Sequence, residues 1–226
     1  MENYSVFDIL GPIMIGPSSS HTAGAARIGK VARYIAGSKI KSVRFHLYGS
    51  FSKTYQGHGT DKALVAGVLG MEPSDDRLAN SLQIAKELEI QVEFLPFDIS
   101  IGHPNTVKVE MESENGHRNF VTGSSIGGGA IVIPDVNGFQ INFTDEYPTI
   151  MITHTDKRGM ISHVSSILSS NDINIAKMSV SRKTKGDIAS MTIETDSVIS
   201  PELTTILGQV EDVLSIRVIN PVREEI

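Results

Sequence analysis

The 226-residue chain contains no cysteine and no tryptophan. The lack of thiols excludes disulfides, a thiol nucleophile and a cysteine-ligated iron–sulfur cluster held by this chain alone. Apolar residues nevertheless make up 40% of the sequence, which is enough to build a hydrophobic core. The length predicts one large domain or two small ones.

Positive charge and long apolar segments are also scarce. The formal net charge is −6 and neither half of the chain is basic, which argues against nucleic acid as a partner. No apolar run reaches the length of a membrane span, and the N-terminus lacks the charged-then-apolar order of a signal peptide. These features predict a cytoplasmic protein without a membrane partner.

The hydrophobic patterns predict an α+β fold with two domains, residues 1–146 and 147–226. Behind the boundary, strand and helix patterns alternate over residues 149–153, 159–169, 173–181, 187–195, 201–209 and 213–220. The resulting β-α-β-β-α-β order is the ferredoxin-like arrangement. The second domain is therefore predicted to pack two helices on one four-stranded sheet.

Residues 16–22 read Gly-Pro-Ser-Ser-Ser-His-Thr and stand directly before a helix pattern that ends near Gly37. Ser18, Ser19, Ser20 and Thr22 thus lie where a helix leaves backbone N–H groups unpaired, a position that attracts carboxylates and phosphates. Simple helix capping is the alternative, but capping needs one hydroxyl. Four hydroxyls and His21 favour a ligand-facing role.

A second polar motif, Gly-His-Gly-Thr-Asp at residues 57–61, also precedes a helix pattern. Thr60 is predicted as the N-cap and Asp61 as part of the first turn. The positive end of the helix should keep the His58 imidazole neutral, so that it can accept a proton as a general base. The alternative is a turn histidine whose flanking glycines serve the turn.

Two further loops carry weaker signals. Residues 102–106 read Gly-His-Pro-Asn-Thr, and His103 with Asn105 is as compatible with a loop as with a site. Residues 123–129 read Gly-Ser-Ser-Ile-Gly-Gly-Gly and are predicted as a glycine-rich loop, with a bulge or tight strand crossing as the alternative. The latter segment matches neither a P-loop nor a dinucleotide-binding fingerprint.

Taken together, the motifs at residues 16–22, 57–61 and 103–106 resemble those of the iron–sulfur-dependent L-serine dehydratases, and residues 5–9 fit as well. The order of motifs is that of the beta subunit in the two-subunit form. The last part of the chain resembles an ACT domain, an amino-acid-sensing module. The resemblance covers nearly the whole chain and implies a first domain of the allosteric substrate-binding type with a mixed sheet.

The resemblance implies the conversion of L-serine to pyruvate and ammonia, a step of serine catabolism that feeds gluconeogenesis. It places a [4Fe-4S] cluster, which acts on the β-hydroxyl, on a partner alpha subunit. A monovalent cation is a further possible cofactor. No metal ligand is assigned to this chain. A homodimer through the ACT domain, the first domain or both is also expected.

The same resemblance implies roles for individual residues. His58 would be the base, with His21 and His103 beside it. Substrate would be bound or its pocket shaped by Ser18, Ser19, Ser20, Thr22, Thr60, Asp61 and Asn105. In the ACT domain the loop with Asp156, Gly159 and Met160 would bind an effector at a helix N-terminus.

Two other functions compete with this one. The chain could be a purely regulatory amino-acid-binding subunit without catalytic residues, in which case the base would lie on the alpha chain. A free-standing Ser/His hydrolase is disfavoured because the adjacent Ser20 and His21 cannot easily face each other as a dyad. The residues leave serine and threonine open as substrates.

Overall fold

The computed structural model describes residues 13–99, 101–144 and 146–220. The chain divides into two compact units, Met1–Gly138 and Phe139–Ile226, called units 1 and 2 below. The boundary between residues 146 and 147 stays a prediction, and the motif at residues 5–9 lies outside the described residues. Among the residues described, no helix is both long and apolar enough to cross a membrane.

Unit 1 is built from helices layered on a mixed sheet, as predicted. Its helices are α1 (Gly24–Ala36), α2 (Gly49–Thr54), α3 (Thr60–Val68) and α4 (Ser81–Glu87). Its strands are β1 (Ile40–Tyr48), β2 (Gln91–Pro96), β3 (Asn105–Ser113), β4 (Arg118–Gly127) and β5 (Ala130–Val136). Within the unit they lie in the order β2-β1-β3-β4-β5, with β1 and β2 parallel and the other neighbouring pairs antiparallel.

The sheet of unit 1 contributes alternate apolar residues to the core. In β1 the residues Val43, Phe45 and Leu47 are buried, whereas the residues between them are exposed or half-buried. This period of two is the alternation of a strand with one buried face. Burying Phe45 or Leu47 completely stabilises the fold by about 1.5–3 kcal/mol each.

Helices α1 and α3 cross at glycines. A Cβ on Gly29 would overlap the carbonyl oxygen of Leu64, and a Cβ on Gly67 would overlap the carbonyl oxygen of Ala26. The two helix backbones therefore touch directly. Because α1 begins directly after residues 16–22 and α3 begins within residues 57–61, this crossing also brings these two motifs near each other.

Three local features of unit 1 differ from what the sequence suggests. Residues 75–88 have the apolar spacing of a single helix, yet they form a 3₁₀ turn, Asp76–Asn80, followed by α4, because Asn80 has φ −107° and ψ 9°. Helix α2 was not predicted. The predicted glycine-rich loop is wrong for residues 123–127, which belong to β4, and register shifts there confirm the alternative of a bulged strand.

Unit 2 has the predicted ferredoxin-like order after an initial strand. Its elements are β6 (Phe139–Phe143), β7 (Thr149–Thr155), α5 (Met160–Ser170), β8 (Ile175–Arg182), β9 (Ile188–Thr195), α6 (Pro201–Gly208) and β10 (Val213–Ile219). One antiparallel sheet has the order β10-β7-β9-β8. Both helices pack on it through a core that includes Ile150, Ile152, Val164, Leu168, Met191, Ile193, Leu203 and Leu207.

Candidate functional site

The serine-rich motif forms a wide π-helical turn, Ser19–Ala23, that runs directly into α1. Ser18 is the N-cap, and its side-chain oxygen accepts a hydrogen bond from the backbone N–H of His21 at 3.3 Å. Ser18 thus performs the helix capping that was the alternative to a ligand-facing role. The wide turn places His21 on the inner side, where only 8% of the residue is exposed.

His21 is held by hydroxyls on both ring nitrogens. Its Nδ1 lies 3.1 Å from Ser20 Oγ, and its Nε2 lies 3.1 Å from Ser50 Oγ. Burial, and secondarily the charge of His58, lower the pKa of His21 below its ordinary value of 6.5. The neutral form of His21 therefore prevails at pH 7.

His58 lies against His21 but faces solvent. The two imidazole centroids are 4.8 Å apart, and the ring planes are nearly perpendicular at 82°. His58 itself is exposed, and the following Gly59 adopts a left-handed conformation with φ 70°. The structure thus brings the first two sequence motifs together and leaves one of their imidazoles accessible to a substrate.

The prediction that Thr60 caps α3 is wrong, because Gly59 occupies the N-cap position. Thr60 is fully buried inside the first turn, and its hydroxyl has no hydrogen-bond partner among the described residues. Asp61 lies in the first turn as predicted, and its carboxylate accepts from the backbone N–H of Lys62 at 2.8 Å. Burial raises the pKa of Asp61.

The start of α3 does not offer the open anion site that helix termini often provide. The N–H groups of Thr60 and Asp61 both point to the carbonyl oxygen of Tyr55, at 2.8 and 3.4 Å. The next N–H, that of Lys62, is taken by Asp61. A substrate anion near His58 must therefore be bound by side chains rather than by this helix end.

A pocket of about 270 Å³ lies beside His58. Its walls include Gly16, Thr22, Gln56, His58, Lys62 and Leu78. The Thr22 hydroxyl is buried and finds no hydrogen-bond partner within the described part of the chain. Lys62 supplies a cation to this wall. The sequence did not single out Lys62, although its position directly after Asp61 in the motif could have indicated a place at the site.

The third motif is fastened next to the same site. Ser50 donates its backbone N–H to the carbonyl oxygen of Pro104 at 2.7 Å, while its hydroxyl contacts His21. Within the loop, the backbone N–H of Asn105 donates to His103 Nδ1 at 3.2 Å, and Asn105 Nδ2 donates to the carbonyl oxygen of Ser125 at 3.5 Å. Ser50 therefore links the loop to the histidine pair.

Two serines of β4 were also missed. Ser124 shares a hydrogen bond of 2.7 Å with Thr106, just behind the loop. Ser125 is fully buried against Gly24, at the point where the serine turn enters α1, and a Cβ on Gly24 would overlap the Ser125 side chain. The Gly-Ser-Ser sequence was the signal, because small residues in a buried strand permit close approach.

The predicted effector loop of unit 2 is tied to the neighbouring hairpin. The Asp156 carboxylate accepts from the backbone N–H of Gly186 at 2.8 Å and from Arg182 Nη1 at 2.9 Å. These bonds hold the pKa of Asp156 below its usual value. Gly159 is the left-handed N-cap of α5 with φ 92°, and Met160 is buried behind it. Effector binding by this loop stays a prediction.

The lowered pKa of His21 predicts a pH-dependent stability. The unfolded chain binds a proton near pH 6.5, whereas the folded chain resists doing so, so the free energy of unfolding should fall as the pH drops from 6.5 to the lowered pKa. Urea unfolding at several pH values should show that the free energy of unfolding depends less on pH in His21→Gln. The glutamine side chain does not titrate, so it takes up no proton on unfolding. Parallel curves for the two proteins would contradict the prediction.

Comparison with known proteins identifies the family of this chain and its ACT domain. The family model described as "Serine dehydratase beta chain" matches residues 5–135, and the ACT domain model matches residues 149–212. In the described parts of the chain, no group of three histidine, aspartate or glutamate residues could hold a metal ion.

Among curated proteins, the "L-serine dehydratase, beta chain" of Peptoniphilus asaccharolyticus is 44% identical over 92% of this chain and 95% of that protein. The "Probable L-serine dehydratase, beta chain" of Bacillus subtilis is 44% identical over 96% and 98%. A Bacillus subtilis D-3-phosphoglycerate dehydrogenase is 31% identical over 87% of this chain but 37% of its own length. The chain belongs to the serine dehydratase beta chain family and carries an ACT domain behind the family-defining region.

Proposed function

We propose that this chain is the beta subunit of an L-serine dehydratase, which forms pyruvate and ammonia from L-serine together with an alpha subunit. The observation that carries the proposal is the contact of His21 with His58 beside the pocket of about 270 Å³. The family relationship supports it, since relatives that match over nearly their whole length bear this name.

In this proposal His58 removes the α-proton of serine. The exposed imidazole can reach a bound substrate, and buried His21 is neutral at pH 7 because of its lowered pKa. Two imidazoles 4.8 Å apart cannot both carry a charge without repulsion. Neutral His21 therefore leaves His58 free to hold the proton that it takes.

Other side chains of the pocket suit the polar ends of an amino acid. The Lys62 ammonium can pair with the substrate carboxylate. The Thr22 hydroxyl is buried against Gly16 and would shape the pocket wall. Ser18 and Ser20 act instead through His21, because their hydroxyls contact its ring or its backbone. Asn105 and His103 lie in the loop that Ser50 fastens beside the pair.

The test is co-expression with the candidate alpha chain, followed by an anaerobic assay for pyruvate. Each chain alone should be inactive and the pair active, since the base and the group that acts on the hydroxyl would lie on different chains. Full activity of the alpha chain by itself would overturn the proposal and favour a regulatory subunit.

We further propose that the iron–sulfur cluster of the assembled enzyme is held by the alpha subunit. This chain has no cysteine, so its residues do not fit such a cluster. Purified alone, even from iron-supplemented cells, it should contain neither stoichiometric iron nor acid-labile sulfide. A cluster reconstituted on the isolated chain, detected by its visible absorption, would contradict this.

Unit 2 is proposed to bind an amino acid through the loop before α5. Gly159→Val places a branched side chain at the helix start and strains the left-handed backbone, so it should weaken binding of serine in calorimetry. Gly116→Val is the matched control, because its φ of 80° carries the same strain in a hairpin of unit 1. Equal serine affinity for the two variants would contradict the assignment of the loop.

A further inference from the structure

His21 is bonded through both ring nitrogens, and one partner comes from a distant part of the chain. Ser50 lies 29 positions after His21, at the start of α2, and its Oγ is 3.1 Å from His21 Nε2. On the other side, Ser20 Oγ is 3.1 Å from Nδ1. A neutral imidazole has one N–H, so the ring donates to one of these hydroxyls and accepts from the other.

In one direction of these bonds, the hydroxyl protons of Ser18 and Ser20 each have an acceptor. Ser18 Oγ already accepts the backbone N–H of His21 and lies 3.3 Å from Ser20 Oγ. A serine hydroxyl that accepts one N–H can still donate its proton, and Ser18 has two acceptors within reach, Ser20 Oγ and, at 3.5 Å, His21 Nδ1. In this direction a serine hydroxyl donates to His21 Nδ1, directly from Ser18 or through Ser20, and the ring proton is on Nε2, facing Ser50.

The Ser50 hydroxyl, which would accept that proton, is held in position by the backbone of Ser50. Its backbone N–H donates to the carbonyl oxygen of Pro104, and its carbonyl oxygen accepts from the Thr54 hydroxyl at 2.8 Å. The preceding Gly49 has φ 57°, and a Cβ there would overlap Pro104. These contacts hold the backbone of Ser50 in place, so that only one side-chain torsion is left to set the position of its hydroxyl.

We propose that Ser50 is a positioning residue that accepts the Nε2–H of His21, fixes the Nε2–H tautomer and the plane of that ring, and so sets the surface against which His58 packs. This role rests on the proposed function, since it matters for turnover only if His58 takes the α-proton. The geometry of the isolated chain, however, contains every atom that the proposal needs.

The tautomer can be measured on the full chain without its partner. In proton–nitrogen correlation spectra of ¹⁵N-histidine-labelled protein at pH 7.5, His21 should show a protonated Nε2 and a bare Nδ1, with its signals identified by their loss in His21→Gln. Ser50→Ala should give averaged signals of both tautomers. Ser52→Ala, a change on the same short helix, should resemble the wild type. A protonated Nδ1 in the wild type, or unchanged His21 signals in Ser50→Ala, would overturn the proposal.

Kinetics of the assembled enzyme separate positioning from general support of the fold. Ser50→Ala should lower kcat about 10-fold to 100-fold, and Ser50→Thr, which keeps the hydroxyl, should restore most of it. In the His21→Ala background, Ser50→Ala should cause no further loss, since its effect passes through that ring. If the kcat loss of the double variant equalled the product of the two single losses, the positioning role would be overturned. An inactive wild-type pair would instead refute the proposed function, while the spectra still decide the tautomer.

Discussion

His58→Ala should lower kcat of the assembled enzyme by about 10²–10⁴, the range of a positioned general base. His58 is the exposed member of the imidazole pair, and its neighbour His21 is buried and neutral at pH 7. Removing His58 would delete the proposed proton acceptor without disturbing the buried core of unit 1. The alpha–beta complex and its iron content should therefore stay intact while turnover is lost.

Isotope exchange makes this test sharper than the rate alone. Wild-type enzyme should release the deuterium of serine labelled at the α-carbon, and the His58→Ala enzyme should retain it. His117→Ala is the matched control, because His117 is exposed beside a hairpin of unit 1 and should leave both release and turnover unchanged. Near-normal turnover of His58→Ala would place the base on the alpha chain.

The sequence predicted those parts of the site that depend on local signals. The two motifs at residues 16–22 and 57–61 were located because polar residues and glycines stand directly before helix patterns, and both lie at helix starts. Unit 2 was predictable for the same reason, because each strand and helix shows its own period and turn residues separate them. Element type follows from neighbours along the chain.

Contacts between distant segments were not predictable in this way. Ser50 bonds to His21 across 29 positions and lies on a six-residue helix, which is too short to show a helical period. Likewise, Gly123 and Ser125 look like loop residues but lie in a buried strand because helix α1 passes close above them. Such small or polar side chains show their role only when the packing partner is known.

Capping at α3 shows how tertiary contacts can override a local preference. Thr60 has a side chain well suited to an N-cap, yet the chain turns one residue earlier, at Gly59, and Thr60 is buried in the first turn. The carbonyl oxygen of Tyr55 takes the N–H groups that a cap would serve. The helix start is thus held by the preceding segment, which frees the neighbourhood of His58 for side-chain contacts.

Gly67→Ala should lower the free energy of unfolding by about 2–3 kcal/mol, because the helix crossing leaves no room for a methyl group. The added Cβ would overlap the carbonyl oxygen of Ala26 and lie 2.7 Å from the backbone nitrogen of Lys30. Both are backbone atoms, so no side-chain rotation relieves the overlap. Alanine is favoured over glycine within a helix by about 1 kcal/mol, which offsets only part of the cost.

The same substitution should also affect the site, because the motifs with His21 and His58 lie at the starts of α1 and α3. If the helices separate, the contact between His21 and His58 weakens, so the Gly67→Ala enzyme should lose turnover even at temperatures where it stays folded. Gly208→Ala is the control, since it lies in unit 2 and its nearest neighbour would be Ile216 Cδ1 at 4.0 Å, an ordinary contact. Denaturant unfolding of both variants tests the prediction: a Gly67→Ala midpoint equal to that of Gly208→Ala would show that the crossing can relax and that the motifs are held together by other contacts.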